Sequence, residues 1–216
     1  MSNSLNEIDA LVKRATRGAG LSWGMAEEAG KAVRWLASHQ FSGATALANL
    51  LDEIDGREMR ELAPASLEGS WAAPKGMLCP LASGAALNDC ASKLVEGAAI
   101  EMTNVCQPML MAPFAAWAAL QIGAVVEVAW QDMCLQSDGY SLWVGDPKGQ
   151  VGATSADALS CRRVTGRSEY LKPPAHRRQV DATTWARLNV YAQRTYAPAT
   201  EASRMLGAGA GVSDND

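Results

Sequence analysis

From Met102 to Val126 the sequence has no aspartate, glutamate, lysine or arginine, a gap of 25 residues in a chain that is 19% charged. Glu101 and Glu127 close it on either side. Charge is absent where side chains are furthest from water, so this stretch is read as the centre of the core. Histidine is scarce as well: His39 and His176 are the only two, and there is no C-x-x-C, so neither zinc nor haem finds a ligand set. The glycines of Gly207 to Gly211 are spaced like part of a phosphate loop, but no Lys-Ser/Thr follows and no strand-to-helix junction surrounds them. The sequence therefore points to no metal and names no cofactor.

Long apolar runs are missing too. Pro108, Pro113 and Gln107 interrupt the uncharged stretch, and the remainder, Phe114 to Val126, is too short for the roughly 20 residues of a membrane span. The start, MSNSLNEID, has neither the basic and apolar segments of a secretory signal nor the arginines of a transit peptide. Five cysteines, an odd number, form no disulfide-like pattern. A cytoplasmic protein with reduced thiols is expected.

What is present suits one domain over 1–206 with a flexible tail at 207–216: 216 residues, 48% hydrophobic, mean hydropathy −0.07. The net charge of −4 gives no general attraction to nucleic acid or acidic lipid. Residues 61–144 hold 2 basic and 8 acidic side chains, and 145–216 hold 10 and 7, so an anionic small molecule is expected near the C-terminal third. Seven tryptophans stand against two phenylalanines. An indole N–H needs a partner, which places several at the rim of the core or at an interface with a second copy or a larger protein.

The fold expected is α+β, or α/β: a helical region (1–56), a mixed sheet with helices (57–180) and C-terminal helices (181–206). Ser4 and Glu7 form a capping box for a first helix, and Ser22 caps a second, Trp23 to Ser38. A third runs from Ala44 to Ile54 and ends in the acidic turn Asp52 to Gly56. Residues 57–83 give no clear pattern beyond a short strand at Leu67 to Trp71. Gly84 to Glu96 reads as one helix. Ala98 to Val105 alternates as a strand, Pro113 opens a buried helix to Ile122, Gly123 ends it, and Ala124 to Trp130 is a second strand. Strand, helix and strand in about 30 residues suit a βαβ crossover in a parallel sheet. Met133 to Val144 reads as a hairpin, Ser160 to Thr165 as one more strand, Asp181 as the cap of a late helix, and Pro198 as the start of a last one.

The candidate site is the bend after the first core strand, Thr103, Asn104, Cys106 and Gln107, because loops diverge and helix starts offer free N–H groups at such strand ends. Cys106 is a nucleophile there if its pKa is lowered. Glu101 and Glu127, in strand segments flanking the core helix, are candidate general acids or bases. His176, Arg177 and Arg178 could grip a carboxylate or phosphate. Arg194, Glu201 and Arg204 gather around the Tyr-Ala-Pro break between the last helices and could line a pocket. His39, at a helix end, is expected to be a cation favoured by the dipole. Solvated faces and a buried structural thiol explain these residues without any activity.

Ser4-Leu5-Asn6-Glu7-Ile8, the segment Gly20 to Leu36 (GLSWGMAEEAGKAVRWL) and Tyr196 to Arg204 (YAPATEASR) resemble an uncharacterised bacterial family, over most of the chain. That resemblance implies no activity. The helices at 5–17 and 23–36, and Thr103-Asn104 followed by Ala112-Pro113, are more faintly similar to the malate/L-lactate dehydrogenase family that lacks a Rossmann fold. Where that family has its catalytic Ser-His-Gly, this chain has Phe41-Ser42-Gly43, so a divergent relative without the histidine is implied. The residues thus favour a small-molecule-binding protein, or an enzyme of amino-acid or hydroxy-acid catabolism. The rival is a non-catalytic subunit or assembly partner.

Overall fold

A computed structural model of the chain describes residues 2–145 and 152–196. Glu201, Arg204, the helix expected from Pro198 and the glycine run lie outside them. The fold is α+β, and its uncharged stretch is the core, as its composition requires: Met109 to Ala112 and Phe114 to Ala116 are all buried.

Helix α1 (Leu5–Gly18) starts where its cap dictates. Ser4 Oγ accepts from Glu7 N–H at 3.2 Å, and the Glu7 carboxylate accepts from Ser4 N–H at 2.7 Å. Its stripe of Ile8, Leu11, Val12 and Ala15 packs on α2 (Trp23–Ser38), which Ser22 caps. Beyond α2, His39 departs from expectation. It is buried, and burial, helped by Lys172, lowers its pKa against the opposing effect of the Nδ1 hydrogen bond to the Trp35 carbonyl at 2.9 Å, so the charged ring is disfavoured there. Helix α3 (Gly43–Ile54) completes the layer, and α4 (Met59–Leu62) is one turn.

The expected helix over 84–96 is two helices, α5 (Pro80–Asp89) and α6 (Ala91–Val95), broken at Cys90, which is only half-buried. Gly84 lets α5 touch the core helix: a Cβ there would stand 2.3 Å from the Phe114 ring.

Strands β2 (Ile100–Cys106) and β3 (Val125–Trp130) flank α7 (Ala112–Ile122), with a 3-10 turn at Pro108–Met111 before it and Gly123 in the left-handed conformation after it. The parallel pairing expected of this unit is overturned. A ten-residue strand, β6 (Ser155–Val164), lies between β2 and β3 and runs antiparallel to both. β2 and β3 therefore share a direction without touching. With β4 (Met133–Ser137), β5 (Leu142–Val144) and β7 (Tyr170–Leu171), the order is β2-β6-β3-β4-β5-β7, and β4-β5 is the expected hairpin.

The outer edge of β2 is covered by residues that gave no clear pattern. Trp71 N–H donates to Glu101 O at 2.7 Å and Leu78 N–H to Asn104 O at 2.9 Å, as isolated parallel bridges. The strand expected at Leu67–Trp71 reduces to that one contact at Trp71.

A small second sheet joins β1 (Ser2–Ser4) to β8 (Arg177–Gln179). Asp181 then caps α8 (Ala182–Gln193), which packs on α1 where Gly18 leaves room for the Tyr191 main chain. Among the described residues no helix is long and apolar enough to cross a membrane.

Candidate functional site

At the end of β2 the backbone takes an uncommon path. Asn104 and Gln107 have positive φ, 51° and 46°. Asparagine tolerates this conformation, but glutamine seldom adopts it, and a residue before proline is disfavoured there as well. A residue so placed costs on the order of 1–3 kcal/mol and persists only where its surroundings hold it. Gln107 N–H donates to Thr154 O at 2.8 Å, and its carbonyl accepts from Leu110 N–H at 3.0 Å. Both main-chain groups are thereby committed.

The bend opens on a pocket of about 640 Å³, inside the range usual for small-molecule sites. Asn104, Cys106 and Gln107 form one side, and Thr154, Ser155 and Asp157, at the start of β6, lie beside them. Asn49, Asp52 and Glu53 come from α3, Arg187 from α8, and Gly76 and Met77 from the loop before α5. Gln107 is 5% exposed, yet its side-chain amide has no hydrogen-bond partner among the described residues. The buried side-chain atoms left without a partner are elsewhere, Thr16 Oγ1, Asn88 Oδ1 and Trp130 Nε1, so the Gln107 amide is open to the cavity and offers it an acceptor and two donors that the fold does not use.

The charged groups of the wall fall into two kinds. Arg187 pairs with Asp52 and donates to Asn49 Oδ1 at 2.9 Å, while Tyr191 OH donates to Asp52 at 2.8 Å. Burial raises the Asp52 pKa, and the bonds from Arg187 and Tyr191 outweigh it, leaving the carboxyl below its ordinary value. Burial, helped by Asp52, pushes Tyr191 up to about 12. Glu53 and Asp157, by contrast, make no ion pair or side-chain hydrogen bond among the described residues. Cys106 sits among these groups, and burial, with Cys79 and Glu53 adding to it, pushes its thiol to about 12. It is a protonated thiol near neutral pH, the opposite of an activated nucleophile.

The other residues singled out from sequence lie elsewhere. Thr103 is half-buried with its hydroxyl 3.5 Å from Trp71 O, and Glu101 is an exposed residue of β2; neither lines the pocket. His176 is exposed ahead of β8 and does not line the pocket, and the main chain of Arg177 and Arg178 pairs in β8 with Ser4 and Asn3. Arg194, at the end of α8, donates to both oxygens of Asp55 at 2.8 and 2.9 Å.

Glu127 belongs to a second polar cluster, buried in the sheet. Its β4 and β6 partners across the strands are Gln136 and Arg162. Gln136 donates to Oε2 at 2.7 Å, the Cys134 thiol to the same oxygen at 3.2 Å, and Arg162 Nε to Oε1 at 2.8 Å. Gln136 in turn accepts from Ser168 N–H at 2.7 Å. Burial raises the Glu127 pKa, but these donors outweigh it and hold the group below its ordinary value. Every polar group of this cluster has its partner, which marks a structural knot.

Sequence reasoning missed Asn49, Asp52, Glu53 and Arg187, whose only local signs were an acidic helix end and a polar helix face. Among the described residues no group of three or more His, Cys, Asp or Glu could hold a metal ion.

A family described as "Protein of unknown function (DUF3726)" matches residues 3–79. That covers the N-terminal helices and the edge of the sheet, less than the resemblance over most of the chain that the sequence suggested. None of the curated proteins matches the chain. Among solved structures, malate dehydrogenase from Entamoeba histolytica is similar at 11% identity with a TM-score of 0.42, over 76% of this chain and 48% of that one. The chain thus spans about half the length of that structure.

Proposed function

We propose that this protein binds a small polar metabolite in the pocket between the end of β2, the start of β6 and helices α3 and α8. The observation that carries the reading is Gln107: 5% exposed, fixed in a left-handed bend, with its amide unpaired toward a cavity of about 640 Å³. An amide open to the cavity and engaged by no other group of the fold is free to hydrogen-bond a ligand. No part is proposed here for Arg177 and Arg178, whose main chain pairs with β1 in the small second sheet.

A thermal-shift screen of small polar metabolites tests the reading. A ligand at a hundred times its Kd should add about 2.7 kcal/mol of stability. Gln107→Leu should fold and lose most of that gain, and replacing Arg177 and Arg178 by alanine should leave it intact. Absence of any ligand, with a larger protein co-purifying instead, favours the assembly-partner reading and removes this one.

A further inference from the structure

Charge decides what kind of metabolite fits. Among the described residues, four charged side chains line the pocket: Asp52, Glu53, Asp157 and Arg187, with Glu53 and Asp157 exposed at its mouth. Arg187 is already neutralised by Asp52. Glu53, on α3, and Asp157, on β6, approach from different elements, and neither has an ion-pair partner among the described residues. Arg57, past the end of α3, forms no ion pair with Glu53 and does not line the pocket, although its charge acts on Cys106. Among the described residues that line this cavity, an anion would meet two unpaired carboxylates and no unpaired guanidinium. A bare divalent cation wants six or more oxygens close around it, and a space of about 640 Å³ is far larger than such an ion fills.

We infer that the ligand is an organic molecule carrying a protonated amine, its ammonium held by Glu53 and Asp157 and its polar body hydrogen-bonded by the Gln107 amide. This rests on the pocket being a binding site, and the charge adds the class of molecule. The carboxylates supply attraction, while Gln107, which is neutral, serves any polar ligand.

Three probes of one length separate these contributions: cadaverine, pentanediol and glutarate, titrated calorimetrically and by amide chemical shifts into the full chain, with magnesium chloride as a control. Cadaverine should bind at least tenfold more tightly than glutarate, and its affinity should fall as salt rises. Glu53→Gln with Asp157→Asn should weaken cadaverine about tenfold, equivalent to roughly 1.4 kcal/mol, and leave pentanediol unchanged. Gln107→Leu should weaken both. Neither carboxylate holds a structural partner, so the double variant should fold as the parent does.

Glutarate binding as tightly as cadaverine, with loss in Gln107→Leu, would overturn the amine and leave the pocket reading standing. Cadaverine binding unaffected by the double variant, or displaced by magnesium at equal concentration, would also overturn it. No probe moving any amide of the pocket would remove both readings.

Discussion

Two polar clusters sit in or against the same sheet, and they differ in pairing and in exposure: Glu127 and Gln136 are buried, whereas Glu53 and Asp157 are exposed. Around Glu127 every carboxylate oxygen, amide and thiol is matched to a neighbour on an adjacent strand. Around Gln107 the amide, Glu53 and Asp157 have no such partner. Buried polar groups are ordinarily paired within the fold. A matched set stabilises the protein, whereas groups unpaired within the fold and open to a cavity remain available to a ligand. Burial alone does not separate Glu127 from Gln107, which are 6% and 5% exposed.

The largest effect should come from breaking the matched cluster. Glu127→Leu strands Gln136, Cys134 and Arg162 without their acceptor and should cost about 2–3 kcal/mol in a denaturant titration. Close behind stands Gly18→Ala, which touches the unmatched cluster indirectly. The added Cβ would lie 1.8 Å from the Tyr191 carbonyl oxygen, main chain that cannot swing aside. Helix α8 must move, at about 1–3 kcal/mol, and it carries Arg187 of the pocket wall with it. Chemical denaturation should show the loss, and ligand affinity should fall in the same variant.

Acid should reveal the matched cluster a second way. The folded Glu127 pKa lies below its ordinary 4.5, so its contribution is complete above about 4.5 and disappears as pH falls through the folded value. Denaturant midpoints measured from about pH 6 down to about pH 3 should decline. Glu127→Gln should decline less steeply, having no carboxyl there to protonate. The smallest effect belongs to Glu53→Gln with Asp157→Asn: stability should stay within about 0.5 kcal/mol of the parent. A loss as large as that of Glu127→Leu would show these carboxylates to be structural after all.

How much of this was legible in the sequence follows from how local each signal is. The caps at Ser4, Ser22 and Asp181 act within one turn, and the helices begin where those residues say. Gly123 ended α7 as its missing side chain allows. The insertion of β6 between β2 and β3 was not legible. Its buried positions, Ala156, Leu159 and Cys161, change phase at Asp157 and Ala158, so no single alternation marks the strand. The bend at Asn104 to Gln107 stood out as polar residues before a proline in an uncharged stretch. Its companions did not, because Glu53, Asp157 and Arg187 meet it only through the tertiary fold. The sign of the pocket's charge was therefore invisible in the regional totals, which pointed toward an anion.

The central claim is that the unpaired polar groups lining the pocket, and not the paired cluster around Glu127, take up the ligand. Amide chemical-shift mapping with cadaverine tests it most directly. The account predicts that the amides of Asn104, Gln107, Ser155 and Asp157 move, while those of Glu127, Cys134 and Gln136 stay in place. Equal movement at both clusters, or movement confined to the Glu127 cluster, would contradict it.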